Sequence, residues 1–179
     1  MPLVRRIFDE ALQCGLHCQT YSDSEIVTEH DTEEVKRYSS IVKIPYKVVP
    51  DVTAFLKSEP VKVLVVNYEN KEHLRDYLEK TADFADGKIN RFFSSNEYLE
   101  HVAPGIDKGS AVRLLCEYTG IPLCNTIAAG DAENDISMIR AAHIGCAMRN
   151  AEEEVKQAAD YITENDNNHD GVAEIIHKF

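Results

Sequence analysis

IAAGDAENDISMI, residues Ile127–Ile139, begins as a run of small and apolar residues and turns abruptly at Gly130-Asp131. A second carboxylate, Asp135, follows four residues later. The run before the glycine reads as a buried parallel strand, and Asn134 onward reads as a helix. Both acids therefore fall in the turn at the carboxyl end of a strand, where open α/β sheets bind ligands. Magnesium takes one or two carboxylates and fills its other positions with water and phosphate oxygen, so the pair is a candidate metal site. The same residues also suit a plain helix start, with Asp131 as its cap and Asp135 in its first turn.

Outward from this turn, the chain alternates helices and strands. On its carboxyl side, residues 144–147 read as a strand and 152–159 as a helix. On its amino side lie a strand at 125–130 and a helix at 108–119, the latter preceded by GIDKGS (Gly105–Ser110) and carrying Val112, Leu115 and Tyr118 on one face. This is the βαβ rhythm of a parallel sheet. Lys108 at the helix start, beside free backbone N–H groups, is suited to hold a phosphate.

The first half reads differently. A helix is expected over Leu3–Cys14, with Val4, Ile7, Phe8, Ala11 and Leu12 on one side and Gly15 as its stop. Strands follow at 16–21 and 25–28, then a helix opened by Asp31-Thr32-Glu33-Glu34 and running to about Val42. Pro45 and Pro50 interrupt the chain before a short helix at 52–57. Val61–Asn67 is a nearly all-apolar strand, Asn70 caps the next helix, and strands at 89–94 and 98–102 complete the half. We place a first domain at residues 1–97, an α+β layer, and a second at 98–179.

Composition bounds the function. Nineteen Lys and Arg stand against 31 Asp and Glu, a net charge of -12, which argues against nucleic acid and anionic membranes as partners. No apolar run reaches membrane-spanning length. The opening MPLVRRIFDEALQ is amphipathic and charged, unlike a signal peptide. Five scattered cysteines point to free thiols in a reducing, cytoplasmic setting. Asp166–Gly171 (DNNHDG) follows half of a calcium loop, but His177 stands where the bidentate Glu belongs, so a turn opening a helix is expected. His101 and His143, among apolar neighbours, read as packed residues.

Four landmarks carry a resemblance: GIDKGSAVRLL around Lys108, GDAENDISMI, the segment IGCAMRNAEEEVKQAADYIT, and the closing NHDGVAEII. In this order they resemble the Cof-type branch of the haloacid dehalogenase superfamily, magnesium-dependent phosphatases of sugar phosphates and other small phosphomonoesters. The resemblance is specific over residues 98–179 and looser over 1–97. It implies an α/β fold, part of a Rossmann-like parallel core plus an α+β cap of the larger (C2) type. It further implies that Asp131 ligates Mg²⁺, that Asp135 ligates it or orients its waters, that Lys108 neutralises the phosphate, and that Asn134 positions Lys108 or the phosphate.

The family's first strand ends in D-x-D-G-T/S, whose first Asp is the nucleophile. No such strand occurs here: Asp23-Ser24-Glu25 has the acid spacing but follows a polar stretch and lacks the Gly-Thr. The expectation is a chain that begins inside the cap, carries no nucleophile, and is inactive by itself. The substrate implied for the intact enzyme is a small phosphorylated metabolite, cleaved through an aspartyl-phosphate. A homo-oligomer, or a partner chain supplying the absent core strand, would cover the exposed strand edge. The alternative is a non-catalytic fragment that acts as a binding module.

Overall fold

A computed structural model describes residues 1–179. The chain divides into two compact units, Met1–Pro104 and Gly105–Phe179.

Unit 1 comprises α1 (Pro2–Gln13), β1 (His17–Tyr21), β2 (Ile26–Thr28), α2 (Glu33–Val42), β3 (Tyr46–Val48), α3 (Val52–Phe55), β4 (Lys62–Val66), α4 (Lys71–Lys80), α5 (Ala82–Ala85), β5 (Asn90–Ser95) and β6 (Tyr98–Val102). Its sheet has the order β3-β2-β1-β4-β6-β5, antiparallel except for the β2–β3 pair. Strand alternation sends β4 side chains to both faces. Val63 and Val65 join Val4, Ile7, Phe8 and Ala11 of α1, Leu74 and Tyr77 of α4, and Phe84 of α5 in the larger core. Leu64 and Val66 pack with Val35 and Tyr38 of α2 on the other face. Side-chain caps fix the helix starts: Thr32 accepts from the Val35 N–H, Asp51 from Thr53 and Ala54, and Asn70 from Glu72.

Two readings of this half need correction. The boundary falls after Pro104 rather than at 97, because Tyr98–Val102 pairs with β4 on one side and β5 on the other. Residues 96–97 are thus the turn of the β5–β6 hairpin. Leu12 lies outside the core and is exposed, while Val4, Ile7, Phe8 and Ala11 are buried. The strand Tyr46–Val48 was not expected between its prolines. It runs parallel to β2, with Tyr46 opposite Ile26.

Unit 2 comprises α6 (Lys108–Thr119), β7 (Ile127–Gly130), α7 (Ile136–Ala141), β8 (Ile144–Ala147), α8 (Glu153–Ala158), β9 (Tyr161–Ile162) and α9 (Gly171–Lys178). Its three strands are all parallel, in the order β7-β8-β9, with Ile127 opposite Ile144 and Gly130 opposite Ala147. Ile139, Ala147, Ala151 and Val155 form one small core, and Cys146, Met148 and Ile175 form another. Strand β7 is an edge. The face expected on α6 does not find a core: Leu115 is 61% and Tyr118 88% exposed.

His101 is buried as expected, whereas His143 is exposed. Burial, reinforced by the Arg91 charge, pushes the His101 imidazole down to about 3. All five cysteines are free, with Cys18 and Cys146 buried and Cys124 exposed. No helix is long and apolar enough to cross a membrane.

Candidate active site

The site residues of unit 2 meet where β7 ends. Asp135 closes a 3-10 turn, Glu133–Asp135, before α7 begins at Ile136, so the helix expected from Asn134 starts later. The delay has a cause in the side chain. Asp135 folds back over the strand end, and its Oδ2 accepts from the N–H groups of Asp131 at 2.9 Å and Ala132 at 3.2 Å. Its other oxygen, Oδ1, accepts from the Lys108 ammonium. Asp135 is 4% exposed, and these three donors satisfy a carboxylate that would otherwise be costly to bury.

Two glycines permit this approach. A Cβ on Gly130 would stand 2.2 Å from the Asp135 Cβ and 2.7 Å from its Oδ2. A Cβ on Gly109 would stand 2.4 Å from the Ser137 carbonyl oxygen, and the Gly109 N–H donates to Ser137 Oγ at 3.0 Å. The start of α6 is thus pressed onto the start of α7, and this contact delivers Lys108 to Asp135. The Lys108 side chain keeps 45% of its surface exposed.

The geometry changes three expectations. The amides beside Lys108 are not free: Gly109 donates to Ser137, Ser110 to Asp107 Oδ1 at 2.6 Å, and Ala111 to the Asp107 carbonyl. A phosphate here would meet the ammonium rather than an open helix end. Lys108 is held by Asp135, not by Asn134, which sits half-buried in the 3-10 turn. Both oxygens of Asp135 are engaged, which suits an anchor for Lys108 and the turn better than a direct metal ligand.

Asp131 differs. Its Oδ2 accepts from Asn167 Nδ2 at 2.9 Å, while no protein donor meets its Oδ1. That oxygen is a hard donor of the kind magnesium takes, and one such carboxylate fits a cation completed by water and phosphate. No group of three or more His, Cys, Asp or Glu gathers to hold a metal, so a cation here would meet Asp131 as a single carboxylate. The sequence pointed to Asp131, Asp135 and Lys108, and the fold brings all three together. It gave no sign of Asn167, Ser137, or the steric roles of Gly109 and Gly130. Asp166–Gly171 forms the expected turn: Asp166 Oδ1 accepts from the Asn168 N–H at 2.8 Å, and α9 starts at Gly171.

A family model described as haloacid dehalogenase-like hydrolase matches residues 2–176. A solved haloacid dehalogenase-like hydrolase from Bacteroides thetaiotaomicron superposes with a TM-score of 0.81 at 36% identity, covering 99% of this chain and 66% of that one. The 5-amino-6-(5-phospho-D-ribitylamino)uracil phosphatase of Bacillus subtilis is 46% identical over 83 residues, 46% of this chain and 33% of that protein. A protein of Arabidopsis thaliana named Endoribonuclease YBEY, chloroplastic, is 38% identical over 103 residues, 58% of this chain but 17% of that protein. The chain therefore spans less than two thirds of each of these relatives.

Proposed function

The chain belongs to the haloacid dehalogenase-like hydrolases, and we propose on that premise that it forms part of a magnesium-dependent phosphatase of small phosphomonoesters such as sugar phosphates. The carrying observation is the placement of Lys108, clasped by Asp135, beside Asp131 at the carboxyl end of β7. An ammonium has three donors. Asp135 takes one, and the exposed side of Lys108 remains for a phosphoryl oxygen.

In this reading unit 1 is the cap, Asp131 holds Mg²⁺, and Asn134 contacts the phosphate. Asp135 keeps Lys108 in place and closes the turn. The cation would neutralise charge on the phosphoryl oxygens. None of the chain's acids lies in D-x-D-G-T, so the attacking Asp comes from a segment outside these 179 residues. That carboxylate displaces the alcohol from phosphorus, and water then splits the aspartyl-phosphate to phosphate and free Asp. The partner supplying the segment is a second chain or a preceding stretch of the same one. The setting is cytoplasmic, with reduced thiols.

The test is reconstitution. The purified chain should show no measurable hydrolysis of p-nitrophenyl phosphate, since loss of a covalent nucleophile costs on the order of a millionfold. Fusion of a relative's D-x-D-G-T strand and helix should restore Mg²⁺-dependent turnover. Lys108→Ala should then lower kcat by roughly 100- to 1000-fold, the cost of losing one charge-stabilising donor. Turnover by the unfused chain that disappears in Asp131→Asn would overturn the external nucleophile.

A further inference from the structure

The loop between β9 and α9 contains a run of hydrogen bonds that ends on the candidate metal ligand. Asn168 Nδ2 donates to Asn167 Oδ1 at 3.0 Å, and Asn167 Nδ2 donates to Asp131 Oδ2 at 2.9 Å. The order of atoms is chemically fixed: an ionised carboxylate only accepts, so the amide nitrogen of Asn167 must face it, and its oxygen then accepts from Asn168. The backbone is held as well, because the Asn167 N–H donates to Asn150 Oδ1 at 3.2 Å.

The loop is tied at both ends. Glu174 on α9 accepts from the N–H groups of Glu164 and Asn165, from the Asn165 amide and from the Tyr161 hydroxyl. Arg149 donates its N–H to Thr163 Oγ1 at 3.0 Å, and Gly171 donates to the Asp166 carbonyl. Gly171 has no room for a side chain, since a Cβ would lie 2.8 Å from both the Asp166 oxygen and the Met148 sulfur. An anchored loop thus presents one amide to one oxygen of Asp131.

We infer that Asn167 is a positioning residue that, oriented by Asn168, holds Asp131 Oδ2 and so reserves Oδ1 for a divalent cation. This rests on the proposed metal role of Asp131 and extends it to residues 36 and 37 positions away in the chain. Carboxylate ligands are themselves hydrogen-bonded, and loss of such a partner typically weakens metal binding by about 10- to 100-fold.

Mn²⁺ is the probe, titrated into the full chain and followed by the electron paramagnetic resonance signal of the free ion. Asn167→Ala should weaken Mn²⁺ binding by about 10- to 100-fold, and Asn168→Ala by a smaller factor, with both melting temperatures unchanged because the two residues are exposed. Asp131→Asn should abolish binding. If Asp131→Asn abolishes binding while Asn167→Ala leaves it intact, the positioning role is overturned and the metal site stands. The positioning role is equally overturned if Asn167→Ala lowers affinity only in step with the melting temperature. If Asp131→Asn changes nothing, or the wild-type chain binds no Mn²⁺, the metal reading falls and the inference with it.

Discussion

Unit 1 closes its core and unit 2 does not. In unit 1 the sheet carries helices on both faces, and Ile26, Val35, Val52, Val65 and Leu74 have no exposed surface. In unit 2 the edge strand β7 begins at a half-exposed Ile127, and α6 shows Leu114, Leu115 and Tyr118 to solvent. Parallel sheets are ordinarily covered on both faces, and an apolar edge strand left bare invites pairing. The turn holding Lys108, Asp131 and Asp135 is built even though the layer around it is open.

The two units also use one device for different ends. In unit 1 Glu29 receives both terminal nitrogens of Arg5, one at 2.9 Å, and the Val52 N–H at 2.8 Å. The guanidinium is used two-pronged, tying α1 to α3. In unit 2 Asp135 receives a lysine, which bonds through one point and keeps donors for another acceptor.

The largest test of this contrast is to separate the units. Residues 1–104 produced alone should unfold in one cooperative transition, while 105–179 alone should lack one, by calorimetry. A cooperative transition in both would end the distinction. Next come the two anchors. Asp135→Ala strips acceptors from two backbone N–H groups and should cost about 2–4 kcal/mol by denaturant unfolding. Glu29→Ala should cost less, about 1–2 kcal/mol, because Arg5 is partly exposed and retains Asp9. The reverse order would make the unit 1 pair the tighter constraint.

Acid should weaken unit 1 in two stages. The folded protein leaves His101 unprotonated down to about pH 3, whereas the unfolded chain protonates it near 6.5. Its contribution is therefore complete above pH 6.5 and falls by about 1.4 kcal/mol per pH unit below it. His101→Leu should flatten that slope in urea titrations. Burial raises the Glu29 carboxyl, but its bonds to Arg5 and Val52 outweigh this and leave it below its ordinary 4.5. Its contribution is thus present above pH 4.5 and disappears as pH falls through the lowered value, and Glu29→Gln should remove only this more acidic component. The smallest effect on stability belongs to the bare face of unit 2. Tyr118→Lys should move stability by less than about 0.5 kcal/mol. It should nevertheless reduce self-association, which we expect for the wild-type chain at micromolar concentration by light scattering. A monodisperse wild-type monomer would break the link between that face and pairing.

Much of this was legible in local patterns. The strand at 144–147, the helix at 108–119 and the cap at Asn70 are set by residues within a turn of one another. The parallel strand before Gly130-Asp131 was legible for the same reason. What escaped was long-range. Where the first unit ends depends on β6 finding β4, more than thirty residues earlier. Whether the Gly109 amide stays open depends on Ser137, and the Asp131 carboxylate depends on Asn167. The polar loop DNNHDG drew attention for a calcium pattern, yet its contribution to the site comes from one asparagine amide.

Gly130 carries a consequence for mutational tolerance. Every missense change at this codon adds a Cβ, and the space it would need already holds the Asp135 carboxyl group. The smallest alteration, Gly130→Ala, therefore acts as a wedge that parts the turn from the strand while leaving Lys108, Asp131 and Asp135 all in the sequence. At position 130 a single methyl group is enough to displace the carboxylate that holds Lys108.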